Sequence, residues 1–368
     1  MIHPWLEPLW TQWMALGERL PHALLIAGAP GLGKRDLAEA LAAKLLCDTP
    51  QTDGQACGHC SSCQWRISGN HPDLHRLSPE NREAQPSTNE SEGDEPGGGE
   101  NKAKPTQGAI QIVINQVRAV QEALSVTAHR GGKRAVIVDP AEAMNPFTAN
   151  ALLKLLEEPP DGCVFLLVSS VPRRLLPTLR SRCQQWHVPR PDADALRRWQ
   201  ASQEREESVP AGLLALCGGM PLAARRLSAQ GGRDLFERFI SDLGAKEIDP
   251  LRLAAQWEAW LKKDKISLAT LVEWMQRWVS DLAALRLGGR VRYFPEQTEC
   301  LVVLSDGAST ASVIGCYNEF IGIRRVAAHP LNTRLFLEDM LMRYVRALAR
   351  PEYGTKIEAR HVSKGAKP

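Results

Sequence analysis

No stretch of this 368-residue sequence approaches the roughly 20 consecutive apolar residues that a membrane-spanning helix requires. The opening residues, Met1-Ile-His-Pro-Trp-Leu-Glu7, lack the basic start and apolar core of a secretory leader. Charge of one sign is also scarce: the formal net charge is +3, too small for a global basic field that would draw the chain to nucleic acid. These absences lead us to expect a cytoplasmic globular protein. Cysteine is not scarce, with nine residues, but an odd number in a reducing compartment argues against a disulfide framework. Length and a hydrophobic content of 43% allow two or three domains, each with its own core.

Strand-like and helix-like patterns alternate over residues 1–190, the arrangement expected of an α/β domain. His22 to Gly28 reads as a buried strand entering a glycine-rich turn, and Lys34 to Leu46 as an Ala/Leu-rich helix. Gln116 to Leu124 is a second helix. Arg134 to Asp139 is a buried strand ending in an acid. Asn145-Pro146 caps and opens a helix that Pro159-Pro160 stops, and Val164 to Val168 is the next buried strand. Residues 83–105 are almost wholly Pro, Gly, Ser, Asn, Glu and Lys, and are expected to form a disordered surface insertion. Past Pro189-Arg-Pro191 strand patterns vanish. A small helical unit is expected over 191–230, an amphipathic helical domain over 231–350 and a polar tail over 351–368. Trp257, Trp260, Trp274 and Trp278 recur at helical spacing there, and are read as packing core.

Gly28-Ala-Pro-Gly31-Leu-Gly33-Lys34-Arg35 lies between a predicted strand and a predicted helix, the context a phosphate-binding P-loop needs. Backbone N–H groups of the turn would cradle phosphates, with Lys34 reaching the terminal ones. The next position breaks the pattern. A hydroxyl is needed there to hold magnesium, and Arg35 has none. Asp139, at the end of its strand, could face a metal, but Pro140 follows where an active ATPase places a water-activating glutamate. Glu142 is displaced by two residues and is not expected to substitute. Cys47-x9-Cys57-x2-Cys60-x2-Cys63 supplies four thiolates, the complement of a closed structural zinc site. His59 is a bystander in this reading, and Cys163, Cys217, Cys300 and Cys316 are expected to be ordinary buried residues.

The succession of P-loop, four-cysteine module and His71-Pro72-Asp73 resembles the N-terminal domain of bacterial clamp-loader subunits of the AAA+ family. The similarity continues through Asn150-Ala-Leu-Leu-Lys-Leu-Leu-Glu-Glu-Pro-Pro160 and Leu176-Pro-Thr-Leu-Arg-Ser-Arg-Cys183, with Leu331 to Glu338 similar to the last collar helix. This resemblance implies a P-loop α/β domain, a helical lid and a helical collar joining five subunits in a ring. It implies gamma/tau and delta subunits as partners, and a role in opening the sliding clamp and placing it on primed DNA for DNA polymerase III. It also implies that Arg182 reaches across an interface to a neighbour's ATP, a role suited to a fixed, always-charged guanidinium. Motor subunits carry Ser or Thr, Glu and a lid arginine where this chain has Arg35, Pro140 and Pro221. The implied member is therefore the one that donates an arginine and hydrolyses nothing itself. Two rivals stand beside it: an active gamma/tau-like motor, and a zinc-containing DNA-binding protein using Arg173, Arg174, Arg180 and Arg182 on phosphates.

Overall fold

Five short strands pair side by side, all parallel, in the order β2-β3-β4-β1-β5. They are β1 (Ala23–Ala27), β2 (Leu74–Leu77), β3 (Arg134–Val138), β4 (Cys163–Ser169) and β5 (Gln184–His187). Every residue of β1, β3 and β4 is buried, as parallel strands covered on both faces must be. The computed structural model describes residues 2–79, 111–126, 132–203, 208–245, 247–263, 266–327 and 332–349. The expected insertion at 83–105 and the tail at 351–368 lie outside the described residues.

The chain divides into two compact units, Met1–Trp199 and Gln200–Pro368. In the first, the sheet is accompanied by α1 (Glu7–Leu16), α2 (Lys34–Leu46), α3 (Ser61–Ile67), α4 (Ile114–Ser125), α5 (Pro146–Glu157) and α6 (Pro177–Arg182). One face of the sheet packs through Leu25, Val136, Val138, Phe165 and Leu167 against Val117, Val120 and Leu124 of α4 and Leu152, Leu155 and Leu156 of α5. Asn145 caps α5 by accepting from the Thr148 amide at 2.9 Å, with Pro146 at the first helical position. Arg134 opens β3 with a buried guanidinium that donates to the carbonyls of Leu124, Val126 and Asp161. A charged residue is thus accommodated at the edge of an apolar run because both its Nη atoms find backbone acceptors, while its buried Nε makes no hydrogen bond.

α7 (Ala193–Ala201) runs across the division. The second unit is helical: α8 (Ala211–Leu216), α9 (Pro221–Ala229), α10 (Gly232–Leu243), α11 (Pro250–Lys263), α12 (Leu268–Arg286), α13 (Thr298–Asp306), α14 (Thr310–Val326) and α15 (Thr333–Leu348). Its core is aromatic. The Phe239 ring lies 5.6 Å from Trp257, 5.6 Å from Trp274, 6.1 Å from Trp278 and 6.0 Å from Phe294. Trp257 and Trp278 are closed off from solvent, and their indole N–H groups donate to Asp242 and to the Tyr344 hydroxyl. Trp257, Trp274 and Trp278 are core, as read, while Trp260 stacks on Trp257 only partly buried. Asp281 of α12, also buried, accepts from the backbone amides of Arg292, Tyr293 and Phe294 at 3.0, 2.8 and 2.9 Å, and so ties down the segment after the helix. Cys163 and Cys316 are buried as expected, whereas Cys217 and Cys300 are partly exposed. No single helix among the described residues is long and apolar enough to cross a membrane.

Candidate functional site

The C-terminal end of β1 delivers the chain into the glycine-rich turn. A Cβ on Gly28 would sit 3.2 Å from both the Cβ and the carbonyl of Val188, so a side chain there would have to push its neighbour back by a few tenths of an ångström. Gly31 and Gly33 both have φ of 79°, a left-handed conformation that glycine adopts without steric cost. Gly33 is the residue from which α2 starts.

Lys34, the first residue of α2, is 5% exposed. Its Nζ donates to the Ala29 carbonyl at 2.8 Å and to the Ser170 Oγ at 3.0 Å. Burial pushes the ammonium pKa down, with Glu142 and Asp139 opposing. Ser170 follows β4, and its amide donates to Glu142 Oε1 at 2.9 Å. Glu142 Oε2 is buried and makes no hydrogen bond. Glu142 is therefore committed to the end of β4. Asp139 lies just past β3, and burial raises its carboxyl pKa against the pull of Arg35 and Lys34. Arg35 Nε stands 3.3 Å from Asp139 Oδ2. Gly28, Gly31, Gly33, Lys34 and Asp139 are thus brought together at one edge of the sheet. Ser170 belongs with them, although sequence reasoning passed it over; a polar pair, Ser169-Ser170, ending an apolar strand was the available signal.

Magnesium, the ion that P-loop ATPase folds use, does not fit this group. The position after Lys34 offers a guanidinium instead of a hydroxyl, and the acid that would face the ion is already paired with it.

Arg182 lies elsewhere. It ends α6, directly before β5, and β5 pairs with β1 in the register Leu24 with Gln184 through Ala27 with His187. Arg182 is therefore at the N-terminal edge of the sheet, and the P-loop at the C-terminal edge. The five residues of β1 separate them by about 16 Å. Its guanidinium is more than half exposed and lies 3.1 Å from Glu157 Oε1 at the end of α5. Arg173 and Arg174 follow the C-terminal end of β4, so the four arginines read as one basic cluster are spread from one sheet edge towards the other. Pro221 is the first residue of α9, where its missing N–H costs nothing.

The four cysteines converge. Their sulfur atoms all lie within 4.8 Å of one another, with Cys47–Cys60 at 3.9 Å, Cys57–Cys63 at 4.0 Å and Cys47–Cys63 at 3.7 Å. A tetrahedral zinc with sulfur at about 2.3 Å sets sulfur pairs about 3.8 Å apart, so the spacing fits the ion. The amides of Cys57, Cys60 and Cys63 donate to the sulfurs of Cys47, Cys57 and Cys60 at 3.3, 3.4 and 3.4 Å, support that ligating thiolates commonly receive. The Thr49 side chain and the His59 amide draw the Cys57 thiol down to about 5, while burial pushes Cys63 up to about 12. His59 bonds to the Cys57 carbonyl and stands outside the sulfur cluster. The His71-Pro72-Asp73 motif braces the module from below. His71 Nδ1 accepts from the Asp73 amide at 3.1 Å, which leaves Nε2–H to donate to Ser62 Oγ at 2.7 Å, and Ser62 donates to the Leu46 carbonyl. Sequence reasoning missed Ser62, since a serine inside a Cys-x2-Cys pattern carries no signal of its own.

A parallel sheet of this order, with a glycine-rich turn between β1 and α2 and an acid after β3, defines a P-loop α/β fold of the AAA+ kind whose nucleotide-handling residues are altered. Known proteins narrow the class. The family model for "DNA polymerase III, delta subunit" matches residues 10–192. DNA polymerase III subunit delta' of Pseudomonas aeruginosa is 36% identical over 353 residues, covering 93% of this chain and 97% of the relative. Subunit delta' of Escherichia coli is 38% identical over 229 residues, 61% of this chain and 60% of that one. Subunit tau of Escherichia coli is 28% identical over 184 residues, half of this chain and 24% of tau. The chain belongs to the DNA polymerase III delta' family.

Proposed function

We propose that this chain is the non-hydrolysing member of a clamp-loader ring. It holds its place beside gamma/tau and delta subunits, helps put the sliding clamp on primed DNA, and supplies Arg182 to ATP bound by a neighbour. One observation carries this reading: the altered P-loop and the exposed Arg182 lie at opposite edges of the same sheet. An arginine so placed cannot serve its own loop, and its half-exposed pair with Glu157 leaves it accessible to another's. Family membership supports the setting, and the similarity to tau over half of the chain supports a shared origin with the ATP-using subunits.

In this reading Gly28, Gly31, Gly33, Lys34 and Asp139 are a nucleotide site that no longer hydrolyses. Pro140 supplies no carboxylate, and Glu142 Oε1 accepts from the Ser170 amide. Cys47, Cys57, Cys60 and Cys63 hold one structural zinc; four sulfurs close its shell, so it binds no substrate. Residues 191–230 act as the lid and 231–350 as the collar, and the assembly works in the cytoplasm.

Reconstitution tests the proposal. The purified chain alone should not turn over ATP, and Arg35→Thr should not restore turnover, because Pro140 and Pro221 remain. Mixed with gamma/tau and delta subunits, it should enter a stable complex whose ATPase rises on primed DNA. A steady ATPase signal from the isolated wild-type chain, lost in Lys34→Ala, would return it to the motor class. Tight, salt-sensitive DNA binding by the isolated chain would favour the DNA-binding reading.

A further inference from the structure

We infer that Arg35 is a protein-borne replacement for the divalent cation at Asp139, so that the P-loop is balanced and held in one state without metal. The inference rests on reading this loop as a former nucleotide site, but not on any role for Arg182.

Position comes first. Arg35 occupies the residue after the P-loop lysine, in the first turn of α2 and facing the end of β3. That is the place from which a hydroxyl would hold the ion. Its Nε instead lies 3.3 Å from Asp139 Oδ2. The Asp139 side chain is 19% exposed, and a carboxylate so enclosed needs a cation close by. The guanidinium supplies one that cannot be deprotonated or washed away.

Charge balance points the same way. Lys34 and Arg35 are two cations, and Asp139 and Glu142 two anions. Glu39, the remaining acid whose charge acts on Asp139, is matched by Arg76 through bonds of 2.8 and 2.9 Å. The group is thus neutral as it stands. A divalent ion entering beside Asp139 would have to displace Arg35 and would leave the remaining group with one uncompensated positive charge, against the repulsion of Lys34.

Order follows from the same contacts. Lys34 is tied to the Ala29 carbonyl and to Ser170, Ser170 to Glu142, and Asp139 to Arg35. The ends of β1, β3 and β4 are therefore linked through the turn with no phosphate or metal taking part. These links hold the turn in one arrangement without a bound ion, with Arg35 reaching Asp139 from the solvent side, its side chain 65% exposed.

The test uses the full chain and the fluorescent nucleotide mant-ADP, titrated in metal-free buffer with and without added magnesium. Chelators are avoided, since they would attack the four-cysteine cluster. For the wild type, the expected result is an affinity, or an absence of binding, that magnesium changes by less than about threefold. For Arg35→Thr, magnesium should tighten mant-ADP binding by about tenfold or more, equivalent to about 1.4 kcal/mol. Arg35→Ser is a second variant with the same expectation, in case the threonine form folds poorly. Larger magnesium-dependent tightening in the wild type overturns the inference. So does a folded Arg35→Thr or Arg35→Ser chain that binds without any magnesium response, or fails to bind with magnesium present. ATP turnover is followed in parallel: a magnesium response of the wild type without turnover defeats this inference alone, whereas turnover by the wild type defeats the proposed function.

Discussion

The Arg182 guanidinium and the Glu157 carboxylate stand 3.1 Å apart where α6 and α5 end, about half exposed and at the sheet edge remote from the P-loop. Exposed pairs of this kind contribute about 0–1 kcal/mol. Arg182→Ala and Glu157→Gln should each change the unfolding free energy of the isolated chain by no more than about 0.5 kcal/mol. Urea denaturation monitored by circular dichroism checks this. A loss of several kcal/mol would make Arg182 a structural residue.

Elemental analysis of protein purified without chelator should find one zinc per chain. Because forming such a site is coupled to folding, Cys63→Ser should abolish stoichiometric zinc and lower the melting temperature. Hydrogen exchange should rise most between α2 and β2. Protein that contains no zinc but melts cooperatively would remove the metal from this account.

The brace beneath the module gives a separate expectation. His71→Ala breaks the path from the Asp73 amide through Ser62 to the Leu46 carbonyl but leaves all four sulfurs. Outer partners of metal ligands are typically worth about 10–100-fold in affinity. Zinc transfer to a chromogenic chelator should accelerate by at least that lower bound, with stoichiometry intact at the start. Unchanged release kinetics would show the motif to be packing only.

In the second unit, Asp281→Asn should cost about 1–3 kcal/mol, since an amide can accept from only one side and would set its own N–H against a backbone donor. The pH dependence has a definite sign. Burial raises the Asp281 carboxyl pKa above its ordinary 3.8, so the folded form holds its proton more tightly than the unfolded chain does. Its contribution to stability is full below 3.8 and falls as pH rises through the folded value. The asparagine variant should lack that step when unfolding free energies are compared across the acid range.

Much of this was legible in the sequence because it rests on local pattern. Lys34–Leu46 reads as a helix from its composition, and the structure ends it at the same residues; Asn145-Pro146 announces α5 in the same way. The cysteine spacing alone suggests a four-sulfur cluster. Arg35 was legible as a missing hydroxyl but not as the partner of Asp139, since 104 positions of chain separate the two and only the order of β1 and β3 in the sheet brings them close. Ser170 and Ser62 were missed for a related reason: serine is common, and what matters is the buried cation or imidazole that each one meets. The placement of Arg182 opposite the P-loop needed the β5–β1 register, which no sequence pattern states.

The central claim is that Arg182 acts on a neighbour's ATP, and it is tested by building the ring with Arg182→Ala in place of the wild-type chain. An isolated arginine finger is worth about 10³–10⁵ in rate. Other interfaces of a ring carry their own fingers, so the loss per complex is smaller. We expect normal assembly, with DNA-stimulated ATP turnover and clamp loading both reduced. Arg182→Lys should be nearly as impaired, because an ammonium does not reproduce the planar fork. Wild-type turnover on primed DNA by a fully assembled Arg182→Ala complex would contradict the claim and leave this chain as scaffold alone.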